Sequence, residues 1–369
     1  MPDRLPDETL PNSAAQALPT LGERVNAATG EPIEVESGVW VFSLPLPFAL
    51  RQVNVYLIDD GAGHHTLVDA SLGLPRDEAA LYAGLAARGL TPAALDAIVL
   101  THAHPDHIGL AKKLQAESGA PVYMLEREAA AMAVVWGDPT GAALRAVNVW
   151  FAEHGMDLGD ERSDPRATGA TRAQDAPPAA RRPQMFPVPP SETIIPLSDG
   201  EHLTLGRWRY QVIWTPGHSD YHMCLLREDG LFIAGDHILP SITPNIGLYP
   251  QSRPDPIQDY DDSLLKVRDL PARLTLPGHR APLLNLAERV DQLRAHQRER
   301  SAAAYTLMTA EPAGMSAGSL AERLFAGRLR TVDDRRFAMA ETLAHLEHLR
   351  LRGRLARERQ GDLMIYRTL

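Results

Sequence analysis

The chain has 369 residues, 44% hydrophobic and 23% charged. That is enough apolar content for a sizeable core and excludes wholesale disorder. Its formal net charge of −10 argues against a protein that coats nucleic acid or anionic membrane with its whole surface.

One cysteine, Cys224, rules out an intramolecular disulfide and fits a reducing compartment. Any metal site must then use histidine and carboxylate. No run of about 18 apolar residues occurs, so no membrane span is expected. The N-terminal stretch lacks the basic and apolar regions of a secretory signal. The expectation is a soluble cytoplasmic protein.

Residues 1–30 are rich in Pro, Ala, Asp and Glu, show no period, and read as a disordered or loosely attached tail. From Ile33 onward EVESGVWVFSL alternates, RQVNVYLIDD follows, and HHTLVDAS runs on after Asp60-Gly61-Ala62-Gly63. This predicts an antiparallel meander with a hairpin at Gly61. PRDEAALYAGLAARGL reads as a helix, with Pro75 in its first turn and Gly89 near its end. LDAIVLT is a short buried strand, DHIGLAKKLQAESG one helix ending near Gly119, PVYML a strand and EREAAAMAVVW a helix.

At about 137–190 comes an irregular insert. It holds one amphipathic stretch, AALRAVNVWFAEHG, then the low-complexity DERSDPRATGATRAQDAPPAARRPQ. Strand signals return with ETIIPL, EHLTLG, WRYQVIWT, HMCLLRE, LFIAGDHIL and ARLTLPGHR. Two strand-rich halves, each with helices, predict an α/β or α+β sandwich over 31–283. Residues 284–369 read as three helices and a hairpin about Gln360-Gly361-Asp362, the outline of a winged helix. Fifteen arginines face eleven acidic residues there, about +4.

The stretch Thr101–Gly109, THAHPDHIG, carries the chemistry. His102, His104, Asp106 and His107 stand where a strand stops and a helix starts. Backbone in such a loop is not tied to a ladder, so several side chains can converge on one point. Asp106 and His107 fall in the first helical turn, where the dipole favours an anion. Neutral imidazole and carboxylate are ligands that suit Zn²⁺. The plainer alternative is a solvated, histidine-bearing loop.

The H-x-H-x-D-H pattern resembles the signature of the metallo-β-lactamase superfamily. The likeness continues through WTPGHSDYH with His218, LFIAGDHI with Asp236 and TLPGHR with His279, each after an apolar strand-like run. NVYLIDD and TLVDAS look like that family's opening strands. The resemblance spans about 33–282 and implies an αββα sandwich followed by the winged-helix domain. It also implies two divalent metal ions, with Zn expected and Fe or Mn able to accept the same ligands. His102, His104 and His218 would hold the first, Asp106, His107 and His279 the second, and Asp236 would bridge them. A hydroxide between the metals would be the nucleophile, with Asp106 orienting it.

Asp69 matches a position that supports a ligand from behind. His222, four residues after His218, is a second candidate for that task, weighed against a plain packed histidine. Strand alternation turns His237 away from Asp236, toward packing or a pocket wall. Gly314-Met315-Ser316-Ala317-Gly318 fits G-x-S-x-G but follows a helix rather than a strand, so it reads as a helix-capping loop.

The resemblance is to the thioesterase branch, glyoxalase II-like, and to phosphodiesterases. It implies a binuclear hydrolase of a small acyl thioester or ester, with the insert roofing the pocket. The alternative is a nuclease or phosphodiesterase acting on single-stranded RNA, with Arg350, Arg352, Arg354, Arg357 and Arg359 holding phosphates. A solvated face or a homodimer contact is the plainer reading of those arginines and is preferred.

Overall fold

The structure is a computed structural model that describes residues 19–47, 50–138, 140–156 and 187–369. Most of the expected low-complexity insert, and the first part of the expected tail, lie outside the described residues. Among the described residues, no helix is long and apolar enough to cross a membrane.

Seven strands form the first sheet: β1 (Pro32–Glu36), β2 (Val39–Pro45), β3 (Gln52–Asp59), β4 (His65–Val68), β5 (Ala97–Val99), β6 (Val122–Leu125) and β7 (Ile194–Leu197). They lie in chain order. The first four are antiparallel, as the alternating meander predicts, and β4 to β7 run parallel. The second sheet holds β8 (His202–Leu205), β9 (Trp208–Trp214), β10 (Met223–Arg227) and β11 (Leu231–Gly235), all antiparallel, with β12 (Leu274–Pro277) parallel to β11.

Helices flank the first sheet: α1 (Pro19–Asn26), α2 (Pro75–Ala87), α3 (Pro105–Ile108), α4 (Ala111–Ser118) and α5 (Glu126–Val135). Period-2 alternation explains the layering. Val53, Val55 and Leu57 of β3 join a core with Leu81 and Leu85 of α2, Leu114 of α4 and Met132 of α5. Their neighbours Tyr56 and Ile58 point the other way, into a core with Val212, Leu225 and Leu276 of the second sheet. A sheet covered on both faces needs apolar side chains on both, so its strands read as nearly continuous apolar runs. Leu57 is fully buried, and Leu57→Ala costs about 2–5 kcal/mol through lost transfer energy and the cavity left behind.

Two expectations need correction. Within the expected tail, residues 19–26 form α1, and Val25 is fully buried while its carbonyl accepts a 3.2 Å hydrogen bond from Gln52 Nε2. One apolar anchor and one buried amide bond outweigh a polar composition. The helix expected over DHIGLAKKLQAESG is two, α3 and α4. Gly109 breaks it, because its backbone N–H donates to Ser71 O at 2.7 Å and a Cβ there would meet Leu72 O at 2.1 Å. Only glycine permits that approach.

The chain divides into two units: Met1–Gly137, Phe186–Pro244 and Ser263–Gln292, and then Asp138–Met185, Asn245–Asp262 and Leu293–Leu369. The second unit contains α6 (Ala142–Glu153), α9 (Ala317–Leu324), α10 (Val332–Leu351) and the hairpin β13 (Leu355–Gln360) with β14 (Leu363–Thr368). Two helices, α7 (Pro256–Arg268) and α8 (Leu286–Thr309), run across the division. The sequence predicts a boundary at 284 and places the stretch that forms α6 in the irregular insert at about 137–190. Contacts group α6 with the terminal helices: Phe151 is fully buried, and His154 O accepts from Gly318 N at 2.9 Å. A capping box starts α10, with Thr331 Oγ1 accepting from Asp334 N and Asp334 Oδ2 accepting from Thr331 N. Ser316 of the G-x-S-x-G stretch caps α9, accepting from Ser319 N at 3.2 Å, as expected.

Candidate metal centre

Strand ends build the site, all within the first unit. Asp69 follows β4, and the Thr101–Gly109 loop follows β5. His218 follows β9, Asp236 follows β11 and His279 follows β12. β4 and β5 are parallel, as are β11 and β12, so the carboxyl ends within each pair share an edge. Backbone bonds join the two sheets there. Met223 N donates to Thr101 O at 3.0 Å, and Asn54 N donates to Gly278 O at 2.7 Å.

The side chains named from sequence come together. His102 Nε2 lies 3.0 Å from His104 Nδ1, and the ring centroids of His104 and His218 are 4.5 Å apart. Asp236 sits at the centre. Its Oδ2 is 3.1 Å from His279 Nε2 and 3.4 Å from His218 Nε2, and its Oδ1 is 3.6 Å from His107 Nε2. Asp106 Oδ2 stands 3.6 Å from His279 Nε2 and 3.9 Å from His107 Nε2.

A second ring of contacts orients these groups. Asp69 Oδ2 meets His107 Nδ1 at 2.8 Å, while Asp69 Oδ1 accepts from Thr101 N at 2.8 Å. The Gln52 carbonyl meets His279 Nδ1 at 2.5 Å. His222 Nε2 accepts from Asp236 N at 3.2 Å, and its Nδ1 lies 2.9 Å from Thr215 Oγ1. With one ring nitrogen so engaged, His107 and His279 turn the other inward, which is how imidazole ligands are held to one tautomer. His237 is fully buried, and burial pushes its pKa down to about 3.

Electrostatics sort the cluster. Burial, then the neighbouring His107 and His104, holds His102 well below the usual histidine range. Burial and His218 do the same to His104. Burial alone would also lower His107, but Asp236, Asp69 and Asp106 outweigh it and raise its pKa well above the usual value. Burial opposes ionisation of Asp236, yet His279 and His107 bring its pKa well below the carboxylate range. At His102 and His104 these shifts favour neutral imidazole, the form that binds a cation beside an ionised carboxylate, whereas His107 would release a proton when a cation binds.

The donor set fits divalent metals. His102, His104 and His218 offer ligand atoms that all lie within 4.8 Å of one another; so do Asp106, His107 and His279, and so do His102, His107 and Asp236. His107 Nε2 and Asp236 Oδ1 are buried without a hydrogen-bond partner, an arrangement costly to keep unless something else occupies them. Gly278 keeps the space open: a Cβ there would lie 2.2 Å from Asp236 Oδ1 and 2.8 Å from His107 Cε1.

Sequence reasoning missed three contributors. Glu128 of α5 is buried and accepts from Ala103 N at 2.8 Å, between two of the histidines; burial pushes its pKa up to about 7. Gln52 and Asn54 anchor the His279 loop, with Asn54 Nδ2 donating to Pro277 O and Arg280 O at 3.0 and 2.7 Å. The available signal was two polar residues at period 2 inside an apolar strand. Backbone strain also gathers here: Asp69 (φ 62°), Ser71 (φ 53°) and Arg280 (φ 68°) adopt left-handed conformations, as does Arg51 (φ 69°) beside Gln52.

Comparison with known proteins agrees with this geometry. Residues 49–279 match the family described as Metallo-beta-lactamase superfamily, and residues 304–368 match the Metallo-beta-lactamase-like, C-terminal domain. A crystal structure of a metallo-beta-lactamase family protein from Thermus thermophilus is 34% identical, covering 91% of this chain and 100% of that one, with a TM-score of 0.76. The probable metallo-hydrolase YqjP of Bacillus subtilis is 25% identical, over 88% of this chain and 96% of its own length. The atrochrysone carboxyl ACP thioesterase of Aspergillus fumigatus is 32% identical over 117 residues, 31% of this chain and 34% of that protein. The strand-end histidines and aspartates, the two-sheet fold and these likenesses establish that the chain belongs to the metallo-beta-lactamase superfamily, as a metallo-hydrolase with a metallo-beta-lactamase-like C-terminal domain.

Proposed function

We propose that the chain hydrolyses a small acyl thioester or ester, using two divalent metals, Zn²⁺ by default. The observation that carries this reading is Asp236, placed between His218, His279 and His107 so that one carboxylate reaches both histidine groups. His102, His104 and His218 would hold one cation, and Asp106, His107 and His279 the other. Divalent cations there would polarise the acyl oxygen and acidify water. The residues of the chain supply the rest. Asp69 and the Gln52 carbonyl fix the tautomers of His107 and His279, and His222 fixes the Asp236 amide. Asp106, with its side chain 17% exposed against 7% for Asp236, is the carboxylate open enough to orient the attacking oxygen.

The partial likeness to an acyl carrier thioesterase supports an acyl substrate. The nucleic-acid alternative loses support, because the arginines it needs already have partners. Arg350 and Arg357 bond to Glu347, Arg352 to Asp255 and Arg359 to Glu153, while Arg354 lies over the Tyr305 ring. We read the three terminal helices and their hairpin as a winged helix serving a structural task. The reducing interior of a cell is the setting that the single buried thiol, Cys224, fits best.

Protein purified without added metal should carry close to two divalent ions per chain by elemental analysis. It should release thiol from an acyl thioester, lose that activity to a chelator, and leave labelled single-stranded RNA intact. Failure of the metal-replete protein to release thiol would overturn the acyl reading.

A further inference from the structure

Two arginines frame the His279 contact and neutralise nothing. Arg51 directly precedes Gln52, whose carbonyl meets His279 Nδ1, and Arg280 directly follows His279. The bonds of Asn54 to Pro277 O and Arg280 O staple these two backbone segments together. Neither arginine side chain has an ion pair or hydrogen bond among the described residues. Arg51 is exposed, and Arg280 is half-buried with its Nε shut away from solvent and without a partner. The staple sets two cations on neighbouring backbone segments, one on each side of the His279 contact.

Both residues also sit in left-handed backbone, at φ 69° and 68°, where glycine would be free of strain. Like charges, a buried donor without an acceptor and two strained positions all weigh against the folded state. A single oxyanion would relieve the first two at once. A guanidinium fork matches carboxylate and phosphate oxygens in a planar, two-bond geometry that an ammonium lacks.

We propose that Arg51 and Arg280 form an anchor for an anionic group of the substrate, a phosphate or a carboxylate, beside the metal centre. The inference rests on the acyl-hydrolase reading for the word substrate, but the anion site itself does not need it. Its role is in specificity: the anchored group adds binding energy for substrates that carry it, felt equally before and during the reaction.

Inorganic pyrophosphate is the probe for the site, titrated by calorimetry into full-length protein as purified. Variants with metal content equal to wild type are compared, so any pyrophosphate on the metals cancels. Arg51→Gln and Arg280→Gln should each weaken binding at least ten-fold, and Arg280→Lys should recover only part of it. Arg280→Gly should lose binding equally while melting at or above the wild-type temperature, which a merely structural arginine would not do. Equal affinity in wild type and the Arg51→Gln, Arg280→Gln double variant overturns the site. So does a lower melting temperature for Arg280→Gly with affinity unchanged.

Two kinetic ratios identify the source of the anion. One compares acetyl-coenzyme A with S-acetyl-N-acetylcysteamine, which lacks the phosphates. The other compares S-succinyl- with S-butyryl-N-acetylcysteamine, which differ in a carboxylate. In Arg280→Gln one ratio should collapse about ten-fold through KM, with kcat kept: the first for a phosphate, the second for a carboxylate. If neither ratio moves while thioesters still turn over, the substrate anchor is overturned. If no thioester turns over but pyrophosphate binding still depends on both arginines, the anion site stands and the acyl reading fails.

Discussion

In the second unit, Arg350, Arg357 and the Tyr366 hydroxyl converge on the buried carboxylate of Glu347, each at 2.7–2.9 Å. In the first unit, Arg51 and Arg280 flank His279 with no such partner among the described residues. The first unit does pair arginine elsewhere: Arg227 is held by Glu36 and Asp229 at 2.7 Å. What sets Arg51 and Arg280 apart is their place on either side of the His279 contact, since Arg88 Nε is also buried without a partner but lies away from it. The difference teaches that net charge is a poor guide to what an arginine binds. The terminal segment, at about +4, looked like the anionic-ligand surface, yet its arginines named from sequence are occupied within the chain. The rest of the chain carries the negative balance, yet among its described residues Arg51 and Arg280 stand without counter-charge beside the metal centre.

The comparison can be broken most sharply at Asp236. Asp236→Asn removes the charge that faces His107, His218 and His279 together. Hydrolysis should fall by about 10³-fold or more, equivalent to about 4 kcal/mol, and bound metal should drop with it. Wild-type turnover and metal content in this variant would remove the cluster from the reaction. Glu347→Ala tests the other side. It strands two arginines and a buried tyrosine hydroxyl, so urea unfolding should lose about 3 kcal/mol while metal content stays at the wild-type level. A loss below about 1 kcal/mol would return those arginines to the list of candidate ligand-binding residues.

How much of this could be read from sequence follows from how far apart the partners stand. The strands were legible because alternation is local: Val53, Val55 and Leu57 against Tyr56 and Ile58 already assign two faces. The metal-capable side chains were legible because each follows an apolar run, and strand ends are where loops can aim side chains at one point. The break at Gly109 was not, because its cause is the Leu72 backbone, which the local pattern of DHIGLAKKLQAESG does not contain. Asn54 meets its acceptors 223 and 226 residues away, and Arg359 meets Glu153 at a separation of 206. Glu128 accepts from Ala103 N across 25 residues, a contact that the helical pattern of EREAAAMAVVW does not contain. Composition sees the charges but not these distances.

Asp69 offers a smaller effect with a clear direction. Asp69→Asn keeps the shape but weakens the hold on His107 Nδ1 and on Thr101 N. Loss of such an orienting carboxylate typically costs about 10–100-fold in metal affinity or activity. Metal titration against a competing chelator measures it, and an unchanged affinity would mean that the 2.8 Å contact does not position the ligand.

The smallest expected effect is an acid-stability signature of the second unit. Burial would raise the pKa of Asp255, but its hydrogen bonds with His348 and Arg352 outweigh burial and bring it down to about 2 from an ordinary 3.8. A carboxylate depressed in the folded state contributes stability that is full above its unfolded pKa. That contribution is lost as pH falls through the folded one. The window here is about pH 4 to 2. The side chain is 17% exposed, and its arginine partner 39%, so screening trims the contribution to about 1–2 kcal/mol. Asp255→Asn should therefore be less stable than wild type at pH 7, and the gap should close as the pH approaches 2. Urea unfolding midpoints at pH 7, 4 and 2.5 read this directly. A gap that stayed constant across that range would mean the loss comes from packing, and the paired arginines of this unit would owe less to charge than their geometry implies.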